Sequence, residues 1–370
     1  MIHFLPLIRH QTQFENVEYW QMAKYIYRDG KNSRLEDYYE SDDDMADQSL
    51  RSLHSLAVSG SSAGVLYYND FIKYFDDQNY ADTQIFQALE NEGRWKNKPM
   101  KQRAAAIRVV MQTQLMYMHV LTRLNDAVVA CGVGSDNLRI ADDGDGADAW
   151  DEAAAFIIGS LEGEAIGGAE DFGDGESLWS LGNNRGIEFG RQNEQRFATA
   201  NDAIFNMLLA GKGMLEAGYC THLGRFSFGI THMLLIPIIQ SVVKYSIVNE
   251  FEQWSSGDED IAAGESFANA IIPIFGHYHP VSASTMKTNM VMGTNNFEVL
   301  VVDGPQQVAD TFLALADDFN IECEYIGKSF EVDACLNYVS TYKTSGSAKQ
   351  ASFAVVSALS AAATVISLLL

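Results

Sequence analysis

Apolar residues recur every three or four positions along most of this chain, the spacing that lines one side of a helix. The pattern predicts helices over Ala46–Ser59, Ala63–Phe75, Tyr80–Glu90, Met100–Cys131, Ala147–Ser160, Asn193–Gly218, Phe226–Trp254, Gly264–Phe275 and Pro305–Phe319. Pro237 falls inside the seventh and should kink it, because proline has no N–H to give and its ring crowds the preceding turn. Strand evidence is confined to NFEVLVVD at 296–303, readable as an edge strand or a buried extended segment. No alternating pattern recurs often enough to build a sheet, and no internal repeat is found. The expected fold is all-α, an irregular multi-helix bundle with long acidic Gly-rich loops, formed by one domain over 46–344. Residues 1–45 read as a polar and acidic lead-in, and 345–370 as a polar spacer followed by a hydrophobic tail.

Charge narrows the function classes. The chain of 370 residues carries 49 Asp and Glu against 25 Lys and Arg, a formal net charge of −24. Nucleic-acid binding needs clustered Lys and Arg, so it is set aside, whereas an acidic surface suits a protein that handles cations. The tail ASFAVVSALSAAATVISLLL has no charged residue. As a helix it would span about 30 Å, enough to cross a bilayer, and it also resembles a removable lipid-anchor signal. Attachment to a membrane through this tail is the expectation. MIHFLPLIRH shows no clear secretion signal. Four cysteines allow three pairings; a short loop closed by Cys323–Cys335 and a long one closed by Cys131–Cys220 are the most natural, with four reduced buried thiols as the alternative.

Candidate chemistry gathers around one predicted helix, AWDEAAAFIIGSLEG (149–163), bracketed by the acidic loops 132–148 and 163–176. Asp151 and Glu162 differ by about 20° around the helix axis, and Asp148 lies one turn before Glu152. Clustered carboxylates on bundle helices hold hard cations such as ferric iron. The competing reading is an acidic first turn that complements the helix dipole. Calcium is a weaker alternative: Asp143, Asp145, Gly146 and Glu152 fall at positions 3, 5, 6 and 12 of an EF-hand-like loop, but the first position is Ala141. Tyr80 and Asp82 in NYAD suit ferric iron and equally suit a helix start. His277 and His279 form an H-x-H pair able to take zinc or to be solvated in a loop. His54 and His119 read as polar core or boundary residues. No nucleophile elbow, P-loop, zincin or dinucleotide motif is present, which places binding ahead of catalysis.

The run AWDEAAAFIIGSLEG followed by LWSLGNNR resembles the signature region of the algal low-iron-inducible periplasmic proteins, also called iron-assimilating or high-CO2-inducible proteins. The likeness continues through NYADTQIFQAL, HMLLIPIIQSVVKYSIVNE, GESFANAIIPIF and FNIECEYIG…DACLNY, about residues 65–340. The resemblance implies a secreted or cell-surface protein that captures iron outside the plasma membrane for uptake; the clustered carboxylates point to ferric iron as the ion, with a plasma-membrane transporter or reductase as the expected partner. The resemblance also favours disulfides over free thiols, and it marks Asp151, Glu152 and Glu162 as ligands. Two other functions remain open from the residues: a carboxylate-bundle ferroxidase or zinc enzyme linked to carbon supply, and a structural acidic cell-surface protein.

Overall fold

The computed structural model describes residues 17–30, 52–58, 64–133, 145–159, 177–194, 197–251, 258–292, 301–319, 321–329 and 332–334. All of these belong to the unit that ends at Cys335. The predicted tail, Glu162, Cys335 and most of both acidic loops lie outside the described residues.

The fold is all-α, as the three-and-four spacing predicts. Helices run Val17–Asp29 (α1), Leu53–Val58 (α2), Tyr68–Phe75 (α3), Tyr80–Glu90 (α4), Met100–Val110 (α5), Tyr117–Val133 (α6), Asp145–Ile158 (α7), Leu178–Glu188 (α8) and Thr199–Glu216 (α9). They continue as Cys220–Met233 (α10), Leu235–Phe251 (α11), Asp258–Tyr278 (α12), Pro280–Met290 (α13), Pro305–Thr311 (α14), Ala316–Phe319 (α15) and Cys323–Ile326 (α16). The described strands are a two-residue antiparallel pair, Lys328–Ser329 with Val332–Asp333. Of the segment expected to be a strand, 301–303 is described and is not extended pairing, while 296–300 lies outside the described residues.

α12 lies at the centre, packed against α3, α5, α11 and α13. A second group forms where α6 packs on α7 and α10, and α9 on α10. The Cys131–Cys220 disulfide ties the end of α6 to the start of α10, as the sequence pairing expected. Cys323 is also disulfide-bonded. The run His222–Glu250 is long and apolar enough to cross a membrane by composition, but most of it is buried within the bundle, where it forms core.

Three departures from the pattern have local causes. The interruption expected at Pro237 falls at Leu234, so that proline occupies the first turn of α11, where its missing N–H leaves no bond unmade. The single helix expected over 100–131 contains a π turn at Met111–Met116. Its extra residue per turn directs Gln112, Thr113 and Gln114 into the interior. There Gln112 donates to the Ser177 carbonyl at 3.0 Å and Gln84 donates to Gln114 at 2.7 Å. Finally, the core reaches ahead of residue 46. Trp20, Ala23, Ile26 and Tyr27 of α1 are buried in it, the Trp20 indole donates to the Leu89 carbonyl at 2.8 Å, and the Arg103 guanidinium lies 4.6 Å over the indole ring.

Candidate metal-ligating residues

α7 shows first what its sequence signature does. Ala149, Trp150, Ala153 and Ile157 are buried and recur at helical spacing, so they are the face that packs inward. The acidic residues between them therefore diverge. Asp148 is exposed. Asp151 points to α9, where Lys212 reaches its two oxygens at 2.8 and 3.0 Å; that carboxylate raises the Lys212 pKa by hydrogen bond and charge. Glu152 turns instead to α6, with His119 Nε2 at 3.2 Å and Arg123 Nε at 2.9 Å. The His119 ring is held edge-on by Phe156, 4.5 Å between centroids. Asp151 and Glu152 thus sit on different sides of α7, each with its own cation, which an incoming metal would have to displace. Of the calcium-loop residues, Asp145 and Gly146 lie in the first turn of α7 and 141–144 are outside the described residues. A Cβ on Gly146 would stand 3.3 Å from that of Ala130, so this glycine permits the close crossing of α7 and α6.

Tyr80 and Asp82 separate in the same way. The Tyr80 ring stacks against Phe71 and Phe75, with centroids 5.1 and 5.5 Å away. Burial holds its phenol well above the ordinary range, and it serves as core. Asp82, two residues on, faces α1 and α2. Its Oδ1 accepts from the Tyr27 hydroxyl at 2.6 Å and from His54 Nδ1 at 2.7 Å. An ionised carboxylate only accepts, so His54 carries a proton on Nδ1. Phe86 packs edge-on against both rings at 6.4 and 6.1 Å. Sequence reasoning named Asp82 but missed both partners. Tyr27 lay in the stretch read as lead-in, and no spacing links residues on three different helices.

The H-x-H pair divides between two carboxylates. His277 Nδ1 meets Asp70 at 3.0 Å and His279 Nε2 meets Asp318 at 2.5 Å. Between them, Tyr278 packs edge-on to Phe319 at 5.1 Å, and burial, Asp70 and Asp318 together raise its phenol pKa. Beneath lies His232, 1% exposed. Its Nδ1 donates to the Phe228 carbonyl at 2.8 Å, which leaves Nε2 to accept from the Tyr67 hydroxyl at 2.7 Å. Tyr67 sits at φ 67°, a left-handed conformation rare for a bulky residue. Among the described residues no three His, Cys, Asp or Glu side chains come together as a metal-holding group.

Burial drives the His232 pKa down to about 4 from 6.5, so the ring is neutral at physiological pH. A folded pKa below the unfolded value means that the stabilisation is complete above 6.5 and is lost as pH falls toward 4. The loss is expected to reach roughly 3 kcal/mol. Denaturation midpoints measured across that window should fall steeply in the native protein and less steeply in His232→Gln; parallel curves would refute the assignment.

Arg185, the charged residue of LWSLGNNR, is structural in the same sense. Arg185 is buried, donates through Nε to Ser241 at 2.8 Å and pairs with Glu188. Lys244 reaches the other oxygen of Glu188 at 2.6 Å. Burial alone would raise the Glu188 carboxyl, but these two cations outweigh it and hold the pKa below the ordinary range. The chain matches no protein-family model, no curated protein and no solved structure.

Proposed function

We propose that this chain is an iron-binding protein of the cell surface or periplasmic space, tethered by its C-terminal segment, that concentrates iron for a separate plasma-membrane transporter or reductase. The observation that carries the reading is the excess of acid over base. With 49 acidic and 25 basic side chains, even complete one-to-one pairing leaves 24 carboxylates without a cation of the chain. Such a surface raises the local concentration of cations, though physiological salt screens the effect beyond about 8 Å, so selectivity must come from a coordinated site. The resemblance to the iron-assimilating proteins names iron as the cation.

The purified full-length chain in detergent should bind iron saturably in a titration with ferric and ferrous salts. Binding should survive Asp151→Asn and Glu152→Gln, since those carboxylates are already engaged by Lys212, His119 and Arg123. Absence of saturable iron binding by the folded protein would reject the function. That same pairing of Asp151 and Glu152 is what favours the rival reading, an acidic surface protein without a resident cation, and this result would leave it standing.

A further inference from the structure

From the Tyr27–Asp82–His54 contact, and resting on the iron reading, we infer that the bound ion is ferric and that Tyr27, Asp82 and His54 are its protein ligands. The argument begins with the donors. A phenol, a carboxylate and an imidazole meet at one oxygen, brought from α1, α4 and α2. Phenolate and carboxylate are hard oxygen donors that suit a small, highly charged ion, and imidazole suits iron of either charge. Donors cis to each other on a metal held at about 2.0–2.1 Å stand about 2.9 Å apart. The hydrogen-bonded separations, 2.6 Å from Tyr27 to Asp82 and 2.7 Å from His54 to Asp82, are already close to that edge length. Small movements of the two rings would admit the ion.

The surroundings fit the same chemistry. Among the described residues Asp82 meets a phenol and an imidazole, in contrast to Asp151 and Glu152, which meet Lys212 and Arg123. The Tyr27 ring is wholly buried, whereas the His54 side chain is 36% exposed, which gives one open side for entry and for further ligands from solvent. In binding, the Tyr27 phenol proton leaves to solvent as the O–Fe bond forms. The His54 proton moves to Nε2, freeing the Nδ1 lone pair. No electron is transferred.

The test is a titration of the purified full-length chain with ferric citrate, read by visible absorption and by bound iron after desalting. A phenolate-to-iron charge-transfer band should grow to saturation at one equivalent. Tyr27→Phe, which keeps the ring, should abolish the band. Asp82→Asn and His54→Ala should each weaken iron retention by about tenfold or more, while Asp151→Asn leaves band and affinity within about twofold of the native chain. His54 lies at the half-exposed edge, so its variant reports on the site even where Tyr27→Phe loosens α1. Saturable ferric binding with no such band, or with a band unchanged in Tyr27→Phe, would overturn this site and leave the iron function intact. Saturable binding of ferrous but not ferric iron would likewise overturn only the site, and no saturable binding of either by a folded native chain would overturn both.

Discussion

Truncating Trp150 to alanine is expected to destabilise the protein by about 3–5 kcal/mol while leaving the Tyr27–Asp82–His54 contact in place. Trp150 is 1% exposed, and its indole donates to the Leu208 carbonyl of α9 at 3.0 Å. The truncation removes a large packed volume and leaves a buried acceptor without its donor. Gly211, also on α9, supplies the space for the ring: a Cβ there would stand 2.1 Å from Trp150 Cζ2 and 2.6 Å from Cη2. Gly211→Ala should therefore cost about 1–3 kcal/mol through overpacking against a rigid indole. The two effects must be coupled. In the Trp150→Ala background the added methyl meets no ring, and its cost should vanish or reverse. A double-mutant cycle from urea denaturation measures this coupling; strict additivity would show that the two residues do not share this contact. Trp150 is thus accounted for by packing, ahead of any chemistry at its acidic neighbours.

Removal of the Cys131–Cys220 bond by paired alanine substitution should lower stability by a comparable amount. The bond spans a sequence separation of 89. Releasing a loop of that size restores unfolded-state entropy worth about 4–5 kcal/mol in the chain-entropy treatment, and native disulfides typically contribute about 2–4. It closes the loop that contains α7, α8 and α9, including the Trp150–Gly211 contact. The loss should appear as a shift in denaturation midpoint with little change in far-ultraviolet dichroism under native conditions, because α6 and α10 keep their buried faces. An unchanged midpoint would mean that the unfolded chain is already restricted in this region.

The sequence by itself determined the fold class. Leu, Ile, Val and Ala at three- and four-residue intervals point to amphipathic helices, and that periodicity placed α4 and α7 within two residues of their observed spans, while α12 starts six residues ahead of the predicted Gly264. It also paired Cys131 with Cys220. Helix orientation was legible only in part. The spacing of Asp148, Asp151 and Glu162 suggested a shared acidic face, but it could not show that Asp151 would meet Lys212 on α9 while Glu152 met His119 and Arg123 on α6. Those partners come from helices whose placement depends on how the buried faces interlock.

Tertiary structure alone decided which polar groups stand together. Tyr80 and Asp82 are two residues apart, about 200° around the helix, so one enters the aromatic core and the other turns toward α1 and α2. The Tyr27–Asp82–His54 contact joins positions separated by 55 and 28 residues. Such a contact leaves no mark on local periodicity, which is set by burial along one helix at a time. The meeting of the three groups is set instead by the packing of α1 and α2 against α4, a long-range event whose determinants are spread over the whole core.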